Sequence, residues 1–533
     1  MLLRLLASAA VAVLGAQLVR MVYRILHWRL YSQLSHMPGP PNPSWMFGNF
    51  GRITRLPALQ FPLTQEWQAK YGPTFKYHTL WSNVQLYTID VVALQHIVNR
   101  DEIYQKSPVT RTTLNRVLGR AKDHGKLDIE SPPTRSNLSQ SPAFGPSQIR
   151  GLTQLFIDKS IELSQMWAAQ DTDECGWARI EVLEGLKRMT LDVIGLAGFN
   201  YAFHALDTAK GPTELDGAFQ TLFRRANANA TPNPPRLRRA AAARRKMERI
   251  SMQLLHDAKD AVAASAGEKD GGNGDEDERR DLLSLLVKSN MSDAVPESQR
   301  LSDDVVVAQV PTFFVAGHET TSTATTWALY ALARHPQAQS ALRAELLAMG
   351  TDSPTLDALN ALPYLDKVVR EVMRLHAPAW FTGRMAMRDD VIPLGTPYTD
   401  TRGVQHHSIS VAKGQMIWIP VAAVNRDARI WGADAAEFRP ERWDRVPDAA
   451  NAIPGVWAHL FTFLGGPHNC IGWRFSLAEM KSLLYTLVRT FEFELAVAPE
   501  EIVATRTAVQ RPMLARKPDL GPRLPMRVRL VQP

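Results

Sequence analysis

Residues 461–475 read FTFLGGPHNCIGWRF, and this stretch holds one of only two cysteines in a chain of 533 residues. Cys470 follows Gly465, Gly466 and Pro467 and precedes WRFSLAEMKSLLYTLVRTF, whose apolar spacing predicts an amphipathic helix. The thiol is therefore expected at a helix N-terminus, where unpaired N–H groups and the macrodipole stabilise a thiolate. The glycines let the backbone fold tightly and direct N–H groups at the sulfur, and such hydrogen bonds tune a metal thiolate. The bland alternative, a small buried hydrophobe, stays open for any single cysteine. No CxxC pair or histidine at zinc spacing lies nearby, which disfavours tetrahedral zinc. One thiolate without a further protein ligand suits haem, whose porphyrin supplies the four equatorial donors.

The second cysteine, Cys175, is distant in sequence, which argues against a disulfide framework and for a reducing compartment or a thiol used chemically. A hydrophobic share of 45% is ample for a buried core. The 61 Lys and Arg exceed the 53 Asp and Glu by 8, a diffuse positive balance with no interleaved Arg and aromatic array, so nucleic acid is not an expected partner. An anionic membrane or an acidic protein partner remains compatible with it.

At the N-terminus, residues 5–19 (LLASAAVAVLGAQLV) carry no charge, and 1–26 is long enough to cross a bilayer, which takes about 20 residues. A cleaved signal peptide is the rival reading, with LGAQ as cleavage site. Arg20, Arg24 and Arg29 follow the apolar run while only Arg4 precedes it, so the positive-inside rule favours an uncleaved anchor with the remainder cytosolic. The prolines of HMPGPPNPSW then favour a stiff extended connector. The expected organisation is an anchor over 1–34, a neck over 35–45 and a body over 46–533, with no internal repeat.

Helical periodicities dominate the body, as in LSQMWAAQ, LEGLKRMTLDVIGLAGF and ATTWALYALARHPQAQSALRAELLAM. Strand-like runs are short: TFKYHTL, VQLYTI and SISVAKGQMIWIPV, the last with a turn at Lys413-Gly414. The expected fold is mainly α with small β-sheets. ANATPNPPRLRR and GEKDGGNGDEDERR read as solvated loops, the first basic enough to touch a membrane. Sequons at Asn137, Asn229 and Asn290 are chance matches in a cytosolic body.

Three further stretches carry chemistry. FFVAGHETTSTATTWALY reads as a helix interrupted at 316–321, where hydroxyl-bearing residues cluster and bond back to carbonyls. A zinc-protease reading of HETTS fails because His318-Glu319 lacks the second histidine of H-E-x-x-H. LDKVVREVMRLHAP puts Glu371 and Arg374 on one helix face; as a lone surface pair they would contribute only ~0.3–0.5 kcal/mol. FRPERW supplies Arg442 downstream, and GRMAMRDDVIPL supplies Arg384.

Together these resemble the cytochrome P450 family, over essentially the whole chain from the proline neck to about Phe493. Phe463-x-x-Gly466-x-His468-x-Cys470-x-Gly472 matches its haem-binding signature, with His468 where the family usually has an arginine that contacts a haem propionate. The resemblance implies haem b with Cys470 as the axial iron ligand, Phe463, Gly466 and His468 around it, and Arg384 on a propionate. It makes Ala316 and Gly317 the haem-facing part of the central helix, and Glu319 and Thr320 the acid-alcohol pair that delivers protons during oxygen activation. Glu371, Arg374 and Arg442 become a buried network that locks the core. WGADAAEFRPERW and TLDVIGLAGFNYAF are similar to members from mushroom-forming and wood-decay fungi. DIESPPTRSNLSQ departs from those relatives, with Asn137 in the slot of a propionate-binding arginine; either Arg135 substitutes for it or the segment is divergent.

The implied protein is a microsomal-type enzyme, single-pass in the endoplasmic reticulum membrane. It takes NADPH electrons from cytochrome P450 reductase, with cytochrome b5 as an optional second donor. It inserts one oxygen atom into a hydrophobic small molecule: a terpenoid or other secondary metabolite, or a polycyclic aromatic, stilbene or steroid. Two alternatives stand beside it. A reductase-independent isomerase or dehydratase of the same fold would be expected to lose the acid-alcohol pair; a haem-poor binding protein would be explained by the departure near Asn137. The substrate is expected to meet the loop 107–124, the region 219–235, Phe313 and Phe314, residues 378–381 and a turn at 507–511.

Overall fold

A computed structural model describes residues 34–55, 60–112, 144–207, 209–211, 213–218, 221, 234–267, 281–291, 300–505 and 507–531, with isolated positions between 12 and 19. Apart from those positions, residues 1–33 of the expected anchor, Asn137 with its surrounding segment, Asn229 and the acidic loop near 270 lie outside them. Among the described residues no helix is long and apolar enough to cross a membrane.

The helices of eight or more residues are α1 (Gln60–Tyr71), α2 (Val91–Asn99), α3 (Pro146–Ala168), α4 (Val182–Phe199), α5 (Pro234–Gly267), α6 (Leu282–Met291), α7 (Asp303–Arg334), α8 (Pro336–Leu347), α9 (Pro363–Leu375) and α10 (Trp473–Thr490). The strands are β1 (Thr74–His78), β2 (Val84–Thr88), β3 (Tyr104–Gln105), β4 (Ala178–Glu181), β5 (Thr382–Ala386), β6 (Asp390–Thr399), β7 (Gln405–Val411), β8 (Met416–Ile419), β9 (Phe491–Leu495), β10 (Ile502–Ala504), β11 (Pro512–Leu514) and β12 (Pro525–Leu530). The mainly helical expectation with small sheets holds. The described chain divides into two compact units.

The first unit comprises Met1–Ser107, Trp380–Ala435 and Pro447–Asn469. Its main sheet has the order β1-β2-β8-β5-β3, antiparallel except where β2 runs parallel to β8. The apolar runs near 75, 86 and 417 form these strands, and Phe75 stacks on Tyr87 with ring centroids 4.4 Å apart. SISVAKGQMIWIPV does turn at Lys413-Gly414, yet its two arms do not pair with each other. β7 pairs with β6 in a separate ribbon, while β8 enters the main sheet. The proline neck is laid against β1: the Lys76 N–H donates to Pro38 O (3.0 Å) and Lys76 Nζ to Leu34 O (3.0 Å). A Cβ on Gly39 would come within 1.9 Å of Lys76 O, so only glycine permits this approach.

The second unit comprises Pro108–Ala379, Ala436–Val446 and Cys470–Pro533. Its spine is α7, 32 residues long and almost wholly buried from Thr321 to Leu332. α4 packs against it at Gly317, where a Cβ would stand 2.8 Å from Ile194 Cδ1 and force the helices apart. Thr190 on α4 also donates through Oγ1 to His318 O (3.2 Å). The helical run after Ala324 breaks at His335, because Pro336 lacks the N–H needed to continue α7 and instead starts α8 as its first residue. β4-β12-β9 and β10-β11 form two small antiparallel sheets. Asn290 is no free acceptor, since its side chain exchanges hydrogen bonds with the Leu301 backbone (2.6 and 2.9 Å).

Candidate haem and oxygen-activation site

Cys470 and Cys175 are both exposed, and no disulfide joins them. It lies just before α10, whose N-cap is Gly472. The helix is 18 residues long and almost fully buried from Leu477 to Val488, which fixes the thiol at the end of a rigid rod. A Cβ on Gly472 would meet no protein atom within 4 Å. Nothing in the polypeptide therefore demands glycine there, beside a thiol already turned outward.

Gly465 and Gly466 are demanded by close packing of the loop. A Cβ on Gly465 would stand 1.7 Å from Pro454 O, and one on Gly466 2.3 Å from Val98 O. Gly466 also adopts φ 65°, a region side chains disfavour. These glycines let the loop close onto α2 and the 454–455 turn within the first unit. Phe463 is buried edge-on against Trp457 (5.7 Å). His468 is largely buried, with Nε2 3.8 Å from Asp101 Oδ2. The carboxylate beside it is a partner the sequence did not reveal.

Arg384 is buried in β5, opposite Ile417 of β8, and its Nη1 donates to Thr382 Oγ1 (2.9 Å) and Gly383 O (3.1 Å). Beside it in the first unit, Phe381 stacks on Trp418 at 4.1 Å with planes 8° apart, and Trp380 meets Phe381 edge-on. Trp418, hidden in a strand-like run, was not singled out from sequence. In the second unit Phe314 is fully buried among Phe199 (4.5 Å) and Phe203 (5.2 Å).

α7 is continuous through 316–321, which corrects the expected interruption. Hydroxyls do bond back: Thr320 Oγ1 donates to Ala316 O (2.6 Å), Ser322 to His318 O (2.6 Å) and Thr323 to Glu319 O (2.7 Å). These add to the helical ladder without opening it. Ala316 is exposed in a helix whose next turns are buried, and Thr320 is partly open beside it. Glu319 is largely buried, with Oε1 3.4 Å from Lys187 Nζ and Oε2 3.0 Å from Arg511 Nε. Burial raises its pKa, but Lys187, His318 and Arg511 outweigh that and hold the carboxyl below the usual range. The Arg511 contact is charge pairing without hydrogen-bond alignment. Burial lowers the pKa of the neighbouring His318, favouring the neutral ring.

Glu371, Arg374 and Arg442 lie together, buried, in the second unit. Glu371 and Arg374 are fully buried and paired through two hydrogen bonds of 2.9 and 2.8 Å. Arg442 Nε lies 3.4 Å from Glu371 Oε1. The Arg439 N–H (3.0 Å) and Trp443 Nε1 (3.1 Å) also donate to Glu371, and Arg374 donates to Glu437 O (3.1 Å). Removing one partner of such a network costs about 3–5 kcal/mol, because a charge is left buried alone.

An outward thiol at a helix start, an unobstructed glycine next to it and an exposed alanine within a buried helix fit a large flat group with one axial thiolate. The family model for cytochrome P450 matches residues 38–517. The chain belongs to the cytochrome P450 family. It is 47% identical to cytochrome P450 monooxygenase 205 of Postia placenta, over 98% of this chain and 97% of that one. It is 44% identical to cytochrome P450 monooxygenase 128 of the same fungus, over 98% and 97%. Cytochrome P450 monooxygenase claQ of Ampulloclitocybe clavipes is 33% identical over 93% of each chain. This cytochrome P450 is accordingly a monooxygenase that uses haem with an axial cysteine thiolate on iron.

Proposed function

We propose that this P450 inserts one atom of dioxygen into a hydrophobic small molecule, a terpenoid or other secondary metabolite or a polycyclic aromatic, stilbene or steroid. NADPH electrons come through a partner reductase. The observation that carries this reading is Cys470, an exposed thiol at the start of a buried helix within the full signature. Bound haem supplies oxygen activation, with electron push from the thiolate. Cys470 is the axial ligand, Phe463 and Gly466 shape its loop, and Arg384 and His468 meet propionates. Ala316 and Gly317 line the central helix toward the cofactor.

The protein's own part is to position and to move protons. Thr320 Oγ1, held on Ala316 O, is a hydroxyl poised on the open strip of α7. Glu319, kept ionised by Lys187 and Arg511, takes up protons and passes them on. Glu371, Arg374 and Arg442 lock the core. The intact Glu319-Thr320 pair argues against the reductase-independent isomerase or dehydratase. Residues 1–34 form a single-pass anchor in the endoplasmic reticulum, 35–45 the neck and 46–533 the cytosolic catalytic body.

The reduced, CO-bound difference spectrum tests the cofactor assignment: a thiolate-type Soret band is expected, and its absence sinks both enzyme readings and leaves a haem-poor binding protein. Co-expression with a fungal reductase and screening of the named substrate classes for oxygenated products tests the reaction.

A further inference from the structure

Glu319 is held between two cations that reach α7 by different routes. Lys187 comes from α4, which is fastened beside the acid where Thr190 Oγ1 donates to His318 O (3.2 Å) and where Ile194 packs on Gly317. Arg511 comes instead from the loop between β10 and β11, and it is buried, at 8% exposure. Where that loop docks therefore decides where the second charge stands.

The docking runs through Trp327, itself buried and about 12 Å further along α7 than Glu319. Its Nε1 donates to Gln510 O (2.7 Å), while the Gln510 N–H donates to Pro378 O (2.9 Å). Thr505 closes the loop from the other side, accepting the Arg511 N–H on Oγ1 (2.9 Å) and donating its own N–H to Arg511 O (2.6 Å). The indole is fixed in turn by its neighbours: it lies parallel on His376 (4.6 Å, planes 7° apart), and Tyr330 meets it edge-on (5.2 Å). Its N–H is thus aimed at Gln510 by packing. At the far end of this chain of contacts, Arg511 Nε and Glu319 Oε2 lie 3.0 Å apart without hydrogen-bond alignment. Such a contact acts through distance alone, and the docked loop sets the distance.

We propose that Trp327 is a positioning residue for Glu319: through Gln510 O its indole N–H holds Arg511 against the acid and so sets the electrostatic field at the carboxylate. Among the described residues, the charged or titratable groups facing that carboxylate are Lys187 on α4, Arg511 on the loop and His318 on α7 itself. If the loop loosens, Lys187 stays while one cation recedes, and burial counts for more. The carboxyl should then take up its proton at higher pH. The consequence for turnover rests on the reading of Glu319 as the acid that moves protons; the positioning itself does not.

The test titrates Glu319 in the full chain by infrared spectroscopy, with its carboxyl band assigned by subtraction of Glu319→Gln, and records the product-to-peroxide ratio over the same pH range. Trp327→Phe keeps a ring on His376 and deletes the N–H. Its Glu319 band should titrate at higher pH than the native one, in the same direction as Arg511→Gln. The double variant should titrate with Arg511→Gln alone, because both changes act on one contact. Thr505→Val releases Arg511 from the other side of the loop and should give the same shift, which keeps the test decisive where Trp327→Phe does not fold. A shift in Arg511→Gln with none in Trp327→Phe or Thr505→Val overturns the inference. An additive shift in the double variant also overturns it, since Trp327 would then act by another route. No shift in any of these variants overturns it together with the Arg511 contact. A shifted band with an unchanged product-to-peroxide profile upholds the positioning and removes Glu319 from proton supply.

Discussion

Arg511 Nε stands 3.0 Å from Glu319 Oε2, while Lys187 Nζ approaches the other oxygen at 3.4 Å. The arginine comes from a braced turn: Trp327 Nε1 donates to Gln510 O (2.7 Å) and the Gln510 N–H to Pro378 O (2.9 Å). An acid on the central helix is thereby tied to the C-terminal turn expected to meet substrate. Because Glu319 is held below its ordinary range, its stabilising contribution is present above the unfolded carboxylate value, about pH 4.3, and is lost as pH falls through the folded value.

Arg511→Gln removes one of the two cations and lets burial dominate, so the Glu319 pKa should rise. The pH at which coupling of NADPH to product changes should move upward, measured as the product-to-peroxide ratio across about pH 5 to 8. Stability in the variant should decline as pH rises through that window. An unchanged profile would detach Arg511 from proton supply. Arg511→Lys, which keeps the charge, should restore most of the native behaviour.

Thr320→Ala removes a hydroxyl that donates to Ala316 O but leaves the backbone ladder of α7 complete. The stability loss should stay near 0.5–1.5 kcal/mol, the range of one hydrogen bond. The CO difference spectrum should persist while NADPH is diverted to peroxide. Retained coupling would show that Thr320 takes no part in proton delivery.

Glu479 on α10 is fully buried, and among the described residues neither of its carboxyl oxygens has a hydrogen-bond partner. Its electrostatic neighbour Thr321 donates instead to Ser476 Oγ (3.1 Å). Burial therefore pushes the carboxyl well above the usual range, only partly opposed by Thr321. With the native pKa above the unfolded one, the folded chain holds a proton that the unfolded chain has released. Stability must fall as pH rises above the unfolded value. Glu479→Gln keeps the shape and abolishes that penalty, so denaturant midpoints should increase at neutral pH and vary less with pH. A lower midpoint at neutral pH would mean that the carboxylate itself is needed.

The sequence made local chemistry legible and long-range partnership opaque. Cys470 at a helix start follows from its own neighbours, and Glu371-Arg374 from a spacing of three. The burial of that pair could not be read from spacing and was implied only by the resemblance. Arg511 finds Glu319 across 192 positions (511 minus 319), a pairing no periodicity announces. β7 and β8 read as one hairpin because a turn joins them, yet which edge each strand joins depends on β2, β5 and β6. The expected opening of α7 failed for a related reason: threonine hydroxyls can bond back to carbonyls already engaged in the helix without displacing them.

The signature glycines separate protein packing from cofactor fit. Gly466 combines a positive φ with a Cβ position 2.3 Å from a backbone oxygen, so Gly466→Ala must distort the loop against α2 whether or not haem is present. Its apoprotein should be destabilised by about 1–3 kcal/mol, seen as a lower denaturant midpoint. Gly472→Ala meets no protein atom within 4 Å and keeps an ordinary φ of −90°. Its apoprotein should unfold at the native midpoint or slightly above, since alanine restricts the unfolded chain. If the glycine serves the bound group, the same variant should carry less haem per chain, measured by the ratio of Soret to protein absorbance. Native haem content in Gly472→Ala would assign that glycine no role in cofactor fit.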